Sequence, residues 1–418
     1  MTSVGERVDI SSDRRAVVSL MRRLRSPEGQ ANPAEIYDAL HAMGDVVPAP
    51  WNAYLVTGYE ACSQVLRGRN WLALDAAWQE RQPENYRWHN RASSDMNKTL
   101  TRLNAPDHPL QRRCLGNLFG RDTMNTLTDQ VEKDVGRLLD GLSDALAHGE
   151  ADYADLVGER LPISTVGGWL GIPAESHPKL VRLAHVQAYS QELLPSPVQL
   201  ADACDASAEL WDFFAALVDE RRAAPADDTV SHWIRDLDAA EPDREVVDEM
   251  LRALTFFIAL ASLETTATYL SSMVWQLLRE PGRWSWLADH PEHIDHALEE
   301  VLRYDPPIRF NTRYAQEDIV LAGVPIPKDS MVHVMYGAAS HDPRRNEDPH
   351  SFDMLRQGSH LSFGAGSHYC MGPALARLEA RALLVGLLKR FPGLRVSSPP
   401  VYEPRMAIRR VASMGVSV

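Results

Sequence analysis

Residues 360–372, HLSFGAGSHYCMG, are the most informative segment of this 418-residue chain. Gly364 and Gly366 allow a tight backbone turn and the close approach of a flat ligand, because glycine has no side chain. Cys370 stands just before a predicted helix, whose backbone N–H groups and dipole favour a thiolate. Gly372 lets that helix pack closely against whatever the sulfur binds. A glycine-rich turn around an inert buried cysteine is the structural alternative.

A charged pair precedes this loop. Glu300 and Arg303 are three residues apart, so on a helix they share one face and can form an ion pair. Most such pairs are solvated and contribute little to stability. Here the predicted helix stops at Pro306–Pro307, directly before a region of short strands. The position of the pair, more than its residue types, makes it of interest.

Residues 244–278 predict one unusually long helix that is apolar on most faces, so it must cross the interior of the protein. Its middle carries Ser262, Glu264 and Thr265. Burying a carboxylate and hydroxyl groups costs free energy, so their presence inside a buried helix needs a structural or functional explanation. A buried proton relay is one such explanation. The structural alternative is a kink in which Thr265 bonds back to a carbonyl of its own helix.

The segment Ala105–Arg113 begins a further helix, with Pro106 near its start. His108 and Arg112 are four residues apart and lie on the same helical face. This face could bind a pair of carboxylates, although such faces are more often simply surface.

Helical periodicity dominates the rest of the chain, which predicts a mainly α fold with a small β part in a single domain, residues 1–418. Further helices are predicted at about 33–43, 59–66, 106–119, 123–148, 152–171, 176–193, 198–223 and 371–391, with a Pro/Asp/Ala-rich turn at 223–228. Strands are predicted at 54–57 and within 308–334. Residues 71–103 are irregular, and a long irregular segment inside a compact protein is usually functional.

The formal net charge of −14 argues against a nucleic-acid partner and an anionic membrane surface, since both require clustered Lys and Arg. The four cysteines form no C-x-x-C pair, which disfavours a zinc cluster or a disulfide framework and fits a reducing cytosol. No apolar run reaches the length of a membrane span, and the N-terminus lacks the apolar core of a signal peptide. These features predict a cytoplasmic protein.

Together, these segments resemble the cytochrome P450 family, specifically its soluble bacterial members. Residues 363–372 fit the pattern F-G-x-G-x-H-x-C-x-G, which resembles the family's haem-ligand loop and is highly specific. Glu300-x-x-Arg303 resembles the family's core ion pair, and Glu264-Thr265 resembles its acid–alcohol pair on the central helix. The order and spacing of the segments agree with the family over nearly the whole chain.

The resemblance implies a helix-rich prism with a small β subdomain, and haem b as the cofactor. Cys370 would be the axial thiolate ligand of the iron. Glu264 and Thr265 would deliver protons during oxygen activation, whereas the Glu300–Arg303 pair would be structural. The remaining haem contacts that the family pattern implies are the propionate-binding residues His108, Arg112, Arg313 and His368, and Phe363, Gly364, Gly366 and Gly372 of the ligand loop.

Two positions depart from the family pattern. The family usually has glycine where this chain has Ser262, which puts details of oxygen binding in doubt. Asp348–Phe352 resembles the segment before the ligand loop but lacks its usual arginine. The third partner of Glu300 and Arg303 is therefore open, with His350 as one candidate.

The activity that the resemblance implies is insertion of one oxygen atom of O2 into a small, neutral organic substrate, as in the tailoring of a secondary metabolite. No flavin or NAD(P)H motif is evident, so electrons are expected from a ferredoxin with its reductase. The protein is expected to be a monomer that binds neither nucleic acid nor membrane. The alternatives are oxidative coupling, rearrangement or peroxide-driven oxidation, and a P450-like module that only recruits another protein. Retention of Cys370, Glu264 and Thr265 counts against the recruitment module.

The substrate pocket is expected between the irregular segment 71–103, residues 187–194, the central helix and the strand after Pro307. The residues expected to line it are Trp78, Tyr86 and Trp88, which could stack on substrate, and Leu254, Ile258, Ala261 and Ile308. For the aromatic residues, local packing is the alternative.

Overall fold

A computed structural model describes residues 10–83, 87–116 and 121–418. Helices surround a long central helix and account for most of these residues. In chain order the α-helices are α1 (Ile10–Arg25), α2 (Pro27–Ala31), α3 (Ala34–Met43), α4 (Tyr59–Arg67), α5 (Ala76–Glu80), α6 (Arg91–Met96), α7 (Asp107–Gly116), α8 (Arg121–Leu146), α9 (Arg160–Leu170), α10 (His177–Gln187), α11 (Pro197–Ala223), α12 (Thr229–Ala240), α13 (Arg244–Leu278), α14 (Arg283–Asp289), α15 (Ile294–Tyr304), α16 (Tyr336–Ser340) and α17 (Pro373–Arg390).

The strands form a small β part beside the helices. They are β1 (Val46–Ala49), β2 (Ala53–Val56), β3 (Trp71–Leu72), β4 (Ala151–Asp152), β5 (Asn311–Ala315), β6 (Ile319–Leu321), β7 (Val324–Ile326), β8 (Met331–Val334), β9 (Arg395–Tyr402) and β10 (Val411–Ser417). Five of them form a sheet in the order β1-β2-β8-β5-β3, in which only the β2–β8 pairing is parallel. A second sheet has the order β4-β10-β9, and β6 and β7 form a hairpin. The predicted mainly α P450 fold with a small β part is confirmed.

The central helix α13 runs for 35 residues without interruption. Asp243 caps its N-terminus by accepting from the backbone N–H groups of Glu245 and Val246, which otherwise lack intrahelical partners. Helices α9, α10, α11, α12 and α15 pack around α13, so most of its side chains are buried. A helix enclosed in this way places its mid-length residues in the interior of the protein.

Most predicted helices are present, with shifted ends. The predicted helix at 152–171 is instead a short strand, a π-helical turn at Ala154–Gly158, and α9. The one predicted at 176–193 ends its α-helical part at Gln187 and continues as a 3-10 turn to Gln191. Residues 117–119 of the predicted helix at 106–119 lie outside the described part of the chain.

Several helices were not predicted from the sequence. Among them are α2, α5, α6 and α16, which have only five or six residues each. The two longest are α1, in a segment with many charges, and α12, which begins right after the turn at 223–228. Asp228 caps α12 by accepting from the backbone N–H of Ser231, and Val230, Trp233 and Leu237 bury one face at helical spacing. This cap and spacing are the sequence signal that could have identified α12.

The ion pair of α15 is buried and bidentate. Arg303 donates to both carboxylate oxygens of Glu300, at 2.7 and 2.8 Å, and both side chains are almost inaccessible. The remaining N–H groups of Arg303 reach the carbonyls of Ser340, Pro349 and Ser351, which belong to the segment that leads into the ligand loop. The pair therefore ties this segment to the helical core.

His350 was the candidate for the third partner of this pair, and that prediction is wrong. Its ring lies 2.8 Å from Asp38 instead. Arg356 takes the position, because its Nε donates to Glu300 at 3.2 Å, and the backbone N–H of Asp353 donates to the same oxygen. The arginine is thus present but stands a few residues beyond the segment where the family pattern would place it.

Glu379 of α17 is a carboxyl buried in the core without a charged partner among the described residues. Burial raises its pKa to about 8, and its Oε1 meets no hydrogen-bond partner in the part of the chain that the structure describes. The folded-state pKa lies above the ordinary value of 4.5, so the folded protein keeps a proton that the unfolded chain releases. Stability is therefore highest below the ordinary value and is lost as pH rises toward 8.

Replacing Glu379 by glutamine should therefore stabilise the protein, and the gain should grow as pH rises. We expect the melting temperature of Glu379→Gln to exceed that of the parent by an increasing margin between about pH 5 and about pH 8. Glu132→Gln, at an exposed position of α8, is the matched control and should give no pH-dependent difference. A constant margin across this range would contradict the buried, protonated carboxyl.

Within the described residues, no helix combines the length and the apolar character that crossing a bilayer requires.

Candidate active site

The loop before α17 folds back on itself around Cys370. Gly364 and Gly366 have φ angles of +71° and +70°, a region that favours glycine. At Gly366 a Cβ atom would lie 2.3 Å from the carbonyl oxygen of Leu66, so no other residue fits there. The backbone N–H of Cys370 donates to the carbonyl of Phe363 at 2.9 Å, which closes the loop.

The Cys370 thiol is accessible, yet protein atoms surround it. These atoms are close enough for burial to raise the pKa of the thiol. The backbone N–H of Gly372 donates to Sγ at 3.3 Å and, with Arg112 and Arg377, partly offsets this effect. The N–H group of Gly372 thus favours the thiolate, as the sequence predicts, although burial has the larger effect on the pKa of Cys370. A coordinated metal ion would reverse the balance, because a thiol that binds a metal is deprotonated.

Next to this loop, four basic side chains from three elements converge. His108 and Arg112 come from α7, Arg313 from β5, and His368 from the ligand loop. The ring centroids of His108 and His368 are 4.1 Å apart. Together with burial, the charges of Arg112 and Arg313 lower the pKa of both rings. Within residues 10–83, 87–116 and 121–418, none of the four forms an ion pair with a carboxylate.

These four side chains fit an anionic group that none of the described residues supplies. Burial, followed by the neighbouring charges, lowers the pKa of His108 to about 4 and that of His368 to about 2, so both rings are neutral N–H donors. Among the residues that the structure describes, His108 Nε2 is buried without a hydrogen-bond partner, and Arg313 donates only to Asn311 and Thr312, on its own strand. Buried donors are rarely left unpaired, so a ligand with carboxylates fits here.

Gly372 adds a second feature that fits a flat cofactor. A Cβ atom built at this position would meet nothing within 4 Å, so the backbone borders open space. The accessible thiol of Cys370 lies two residues away. An accessible thiol beside basic side chains that lack a carboxylate partner among the described residues is the arrangement that a haem with two propionates requires.

On α13, the hydroxyl groups of Ser262 and Thr265 bond back to their own helix. Ser262 Oγ donates to the carbonyl of Ile258 at 2.7 Å, and Thr265 Oγ1 donates to that of Ala261 at 2.6 Å. The back-bond predicted as the structural alternative for Thr265 is therefore present, although α13 is not interrupted. Since the hydroxyl hydrogen of Thr265 is engaged, its oxygen remains free to accept from water.

Glu264 is buried and fully paired. Arg405 Nη1 donates to both carboxylate oxygens at 2.8 and 3.0 Å, and His185 Nδ1 lies 2.7 Å from Oε1. Burial alone would raise the pKa of Glu264, but Arg405 and His185 outweigh it and lower the pKa to about 2. The carboxylate therefore stays charged at neutral pH and holds no proton of its own.

The tryptophans expected in the substrate pocket are held by local packing. Trp78 is 1 % exposed, lies beside Tyr314 with ring centroids 6.0 Å apart, and donates to the carbonyl of Asp329. Trp88 is buried in the same apolar cluster. Tyr86, the third aromatic residue of this prediction, lies outside the described residues.

The predicted pocket residues of α13 differ in accessibility. Leu254 and Ile258 are buried in the main core, whereas Ala261, on the same face, is exposed and Thr265 is half-buried. Mid-helix residues of an enclosed helix are accessible only where the helix borders an internal space. Ile308 is partly buried and forms a β-bridge with Ile408.

A further basic residue, Arg102, was not predicted. Burial, together with Arg313 and Arg87, lowers its pKa to about 10, and its guanidinium lies 5.1 Å from the Trp88 ring. It donates to Gln191, in the segment after α10. In the sequence, the only signal for Arg102 is that an arginine stands in a short segment that also holds Leu100 and Leu103.

The chain is similar to known proteins over most of its length. The cytochrome P450 family model matches residues 292–410. The chain is 30% identical over 378 residues to 6-deoxyerythronolide B hydroxylase of Saccharopolyspora erythraea, covering 86% of this chain and 88% of that protein. It is 28% identical over 401 residues to the biotin biosynthesis cytochrome P450 of Bacillus subtilis, covering 94% and 98%.

Among solved structures, the crystal structure of P450BioI in complex with hexadec-9Z-enoic acid ligated acyl carrier protein superposes with a TM-score of 0.85. The identity is 27%, and the match covers 94% of this chain and all of that one. The similarity over most of both chains thus agrees with the thiol loop and with the four basic side chains beside it. The chain belongs to the cytochrome P450 family, whose members are haem-thiolate monooxygenases.

Proposed function

We propose that this protein inserts one oxygen atom of O2 into a small, neutral organic substrate, as a tailoring step in secondary metabolism. The observation that carries this proposal is the accessible Cys370 thiol beside four basic side chains that lack a carboxylate partner among the described residues. The hydroxylase from Saccharopolyspora supports the reaction class. That the substrate is small and neutral is an expectation from the family.

Haem b is the cofactor that we propose for this site, and when bound it supplies oxygen activation. Cys370 would hold the iron, and Phe363, Gly364, Gly366 and Gly372 would shape the loop under the ring. His108, Arg112, Arg313 and His368 would hold the propionates by donating N–H groups. Arg102, close to Arg313, is a further donor on the same side.

The chain's own residues would control water and protons beside the substrate. We propose that the accessible Ala261 and Thr265 of α13 border the same space as Cys370. Thr265 Oγ1 would accept a hydrogen bond from water there, while its own O–H group continues to donate to the carbonyl of Ala261. Glu264, charged and fixed by Arg405, would orient the hydrogen bonds of this region rather than store a proton.

Electrons are proposed to come from a ferredoxin with its reductase, because no flavin or NAD(P)H motif is evident in the chain. The monomeric state and the cytoplasmic location stay predictions.

Isotope incorporation tests the proposed function. Candidate compounds are first screened for a low-spin to high-spin shift of the haem spectrum, and those that bind are incubated with ferredoxin, reductase, NADPH and 18O2. A monooxygenase places one 18O atom in the product and one in water. Product without 18O would favour coupling or rearrangement, and a protein that takes up no haem would favour the recruitment module.

Removing the hydroxyl of Thr265 should uncouple electron use from product formation. We expect Thr265→Ala to bind haem and substrate as the parent does, but to release more hydrogen peroxide for each NADPH consumed, because water near the haem loses its acceptor. The measurement is the ratio of peroxide to NADPH with a compound that gives the spin shift. Unchanged coupling in this variant would reject the role of Thr265.

A further inference from the structure

Three titratable side chains form a row from the protein surface to the middle of α13. His185 of α10 lies between two carboxylates: its Nδ1 is 2.7 Å from Glu264 Oε1, and its Nε2 is 3.1 Å from Glu159 Oε1. The second contact is close but not aligned as a hydrogen bond. The Glu264 side chain is 2 % exposed, whereas those of His185 and Glu159 are 13 % and 17 % exposed. His185 thus connects solvent to the buried acid.

In this row, His185 carries the transferable proton. Burial acts to lower the pKa of His185, but Glu159 and Glu264 outweigh burial and raise it. Glu264 cannot act as a proton store, because its pKa lies far below neutrality. Arg405 touches Glu264 as well, but a guanidinium does not deprotonate in proteins.

The charge balance around the ring supports a protonated His185. Arg405 donates to Glu264 and to the carbonyl of His185, and it also pairs with Glu403. Arg410 pairs with both Glu159 and Glu403. The groups that face one another here are three carboxylates and three bases: Glu159, Glu264, Glu403, His185, Arg405 and Arg410. The cluster is neutral only when the imidazole is charged.

We propose that His185 supplies protons to Glu264, and through Glu264 to the face of α13 that carries Thr265. In this step the Nδ1–H bond of the imidazolium breaks and an O–H bond forms on Glu264, which passes the proton to a water molecule beside Thr265 and returns to the carboxylate. The neutral ring keeps its Nε2–H. When the ring turns about its Cβ–Cγ bond, the free Nδ1 faces Glu159 and takes a proton from solvent on that side. Glu159 is a positioning residue that stabilises the recharged ring. This inference rests on the proposed function.

The test compares His185→Gln with His350→Gln. Glutamine keeps a hydrogen-bonding side chain but cannot carry a proton. His350 is a matched control, because it also contacts a carboxylate, Asp38 at 2.8 Å, but does not contact Glu264. The first measurement is NADPH-driven oxygen consumption with a [2Fe–2S] ferredoxin and its reductase across the pH range. We expect His185→Gln to lose at least about tenfold, and His350→Gln to match the parent.

The pH profile separates proton supply from a structural role. A group with a raised pKa supplies protons below that pKa and fails above it, so oxygen consumption by the parent should fall on the alkaline side. Glu159→Gln removes a charge that stabilises the imidazolium and should move this fall to lower pH. Ring 15N chemical shifts of His185 in the reduced, CO-bound protein report the pKa without turnover, and they should move in the same direction.

The outcomes are distinct. An unchanged rate in His185→Gln, or a pH profile that Glu159→Gln leaves in place while the ring pKa moves, would overturn the inference. If His185→Gln folds poorly, Glu159→Gln and the 15N shifts still decide. Failure of the proposed function has another signature, since the parent itself would then lack the thiolate-ligated spectrum of the reduced, CO-bound state.

Discussion

Cys370→Ala is expected to lose the long-wavelength Soret band of the reduced, CO-bound protein, the band that reports thiolate ligation. Alanine cannot coordinate a metal, whereas the basic side chains that would hold the propionates remain in place. The variant should therefore bind haem weakly or through another ligand, and NADPH-driven oxygen insertion should fall to background. This is the largest functional effect that we expect from any single substitution in the chain.

Cys62 and Cys204 differ from Cys370 in that we do not expect either of them to bind the iron. Cys62 is buried and donates to the carbonyl of Val56, and burial raises its thiol pKa above the ordinary range. Cys204 is partly exposed on α11. Cys204→Ala should keep the Soret band and the activity of the parent. A Cys370→Ala variant with an unchanged band would remove the basis of the ligand assignment.

Glu300→Gln is expected to give the largest loss of stability. The substitution preserves shape but leaves Arg303 as a buried cation that keeps its backbone carbonyl acceptors and loses its counter-charge. Breaking a buried ion pair by removing one partner costs about 3–5 kcal/mol. Arg356 and the backbone N–H of Asp353 would also lose a charged acceptor. The free energy of unfolding in urea measures the effect.

Asp295→Asn, on the same helix, is the control. Asp295 pairs with Arg381 at 3.0 Å, but its side chain is 70 % exposed, and solvent-exposed pairs contribute at most about 1 kcal/mol. A loss for Glu300→Gln no larger than for Asp295→Asn would show that the buried pair is not what ties the ligand-loop segment to α15.

The fold was predictable from the sequence where the pattern is local. The length and apolar character of α13 and the stop at Pro306–Pro307 follow from periodicity and from proline chemistry. The turn at Gly364 and Gly366 follows from the conformations that only glycine adopts easily. The end of α10 and the π-helical turn before α9 did not follow, since tertiary packing sets such details.

The partners of the site residues were harder to predict, because they come from distant parts of the chain. Glu264 was placed on the central helix from its neighbours in sequence, but Arg405 stands far along the chain and reaches it only through folding. The same holds for His185 and for Arg356. Charge pairs between elements have no spacing rule comparable to the i, i+3 rule that identified Glu300 and Arg303.

The central claim is that the sulfur of Cys370 binds a haem iron. Iron K-edge X-ray absorption of the purified ferric protein tests it most directly, because the technique identifies the atoms bound to the metal. We predict one sulfur scatterer beside the four porphyrin nitrogens in the parent, and its absence in Cys370→Ala. A first coordination shell of nitrogen and oxygen alone in the parent protein would contradict the claim.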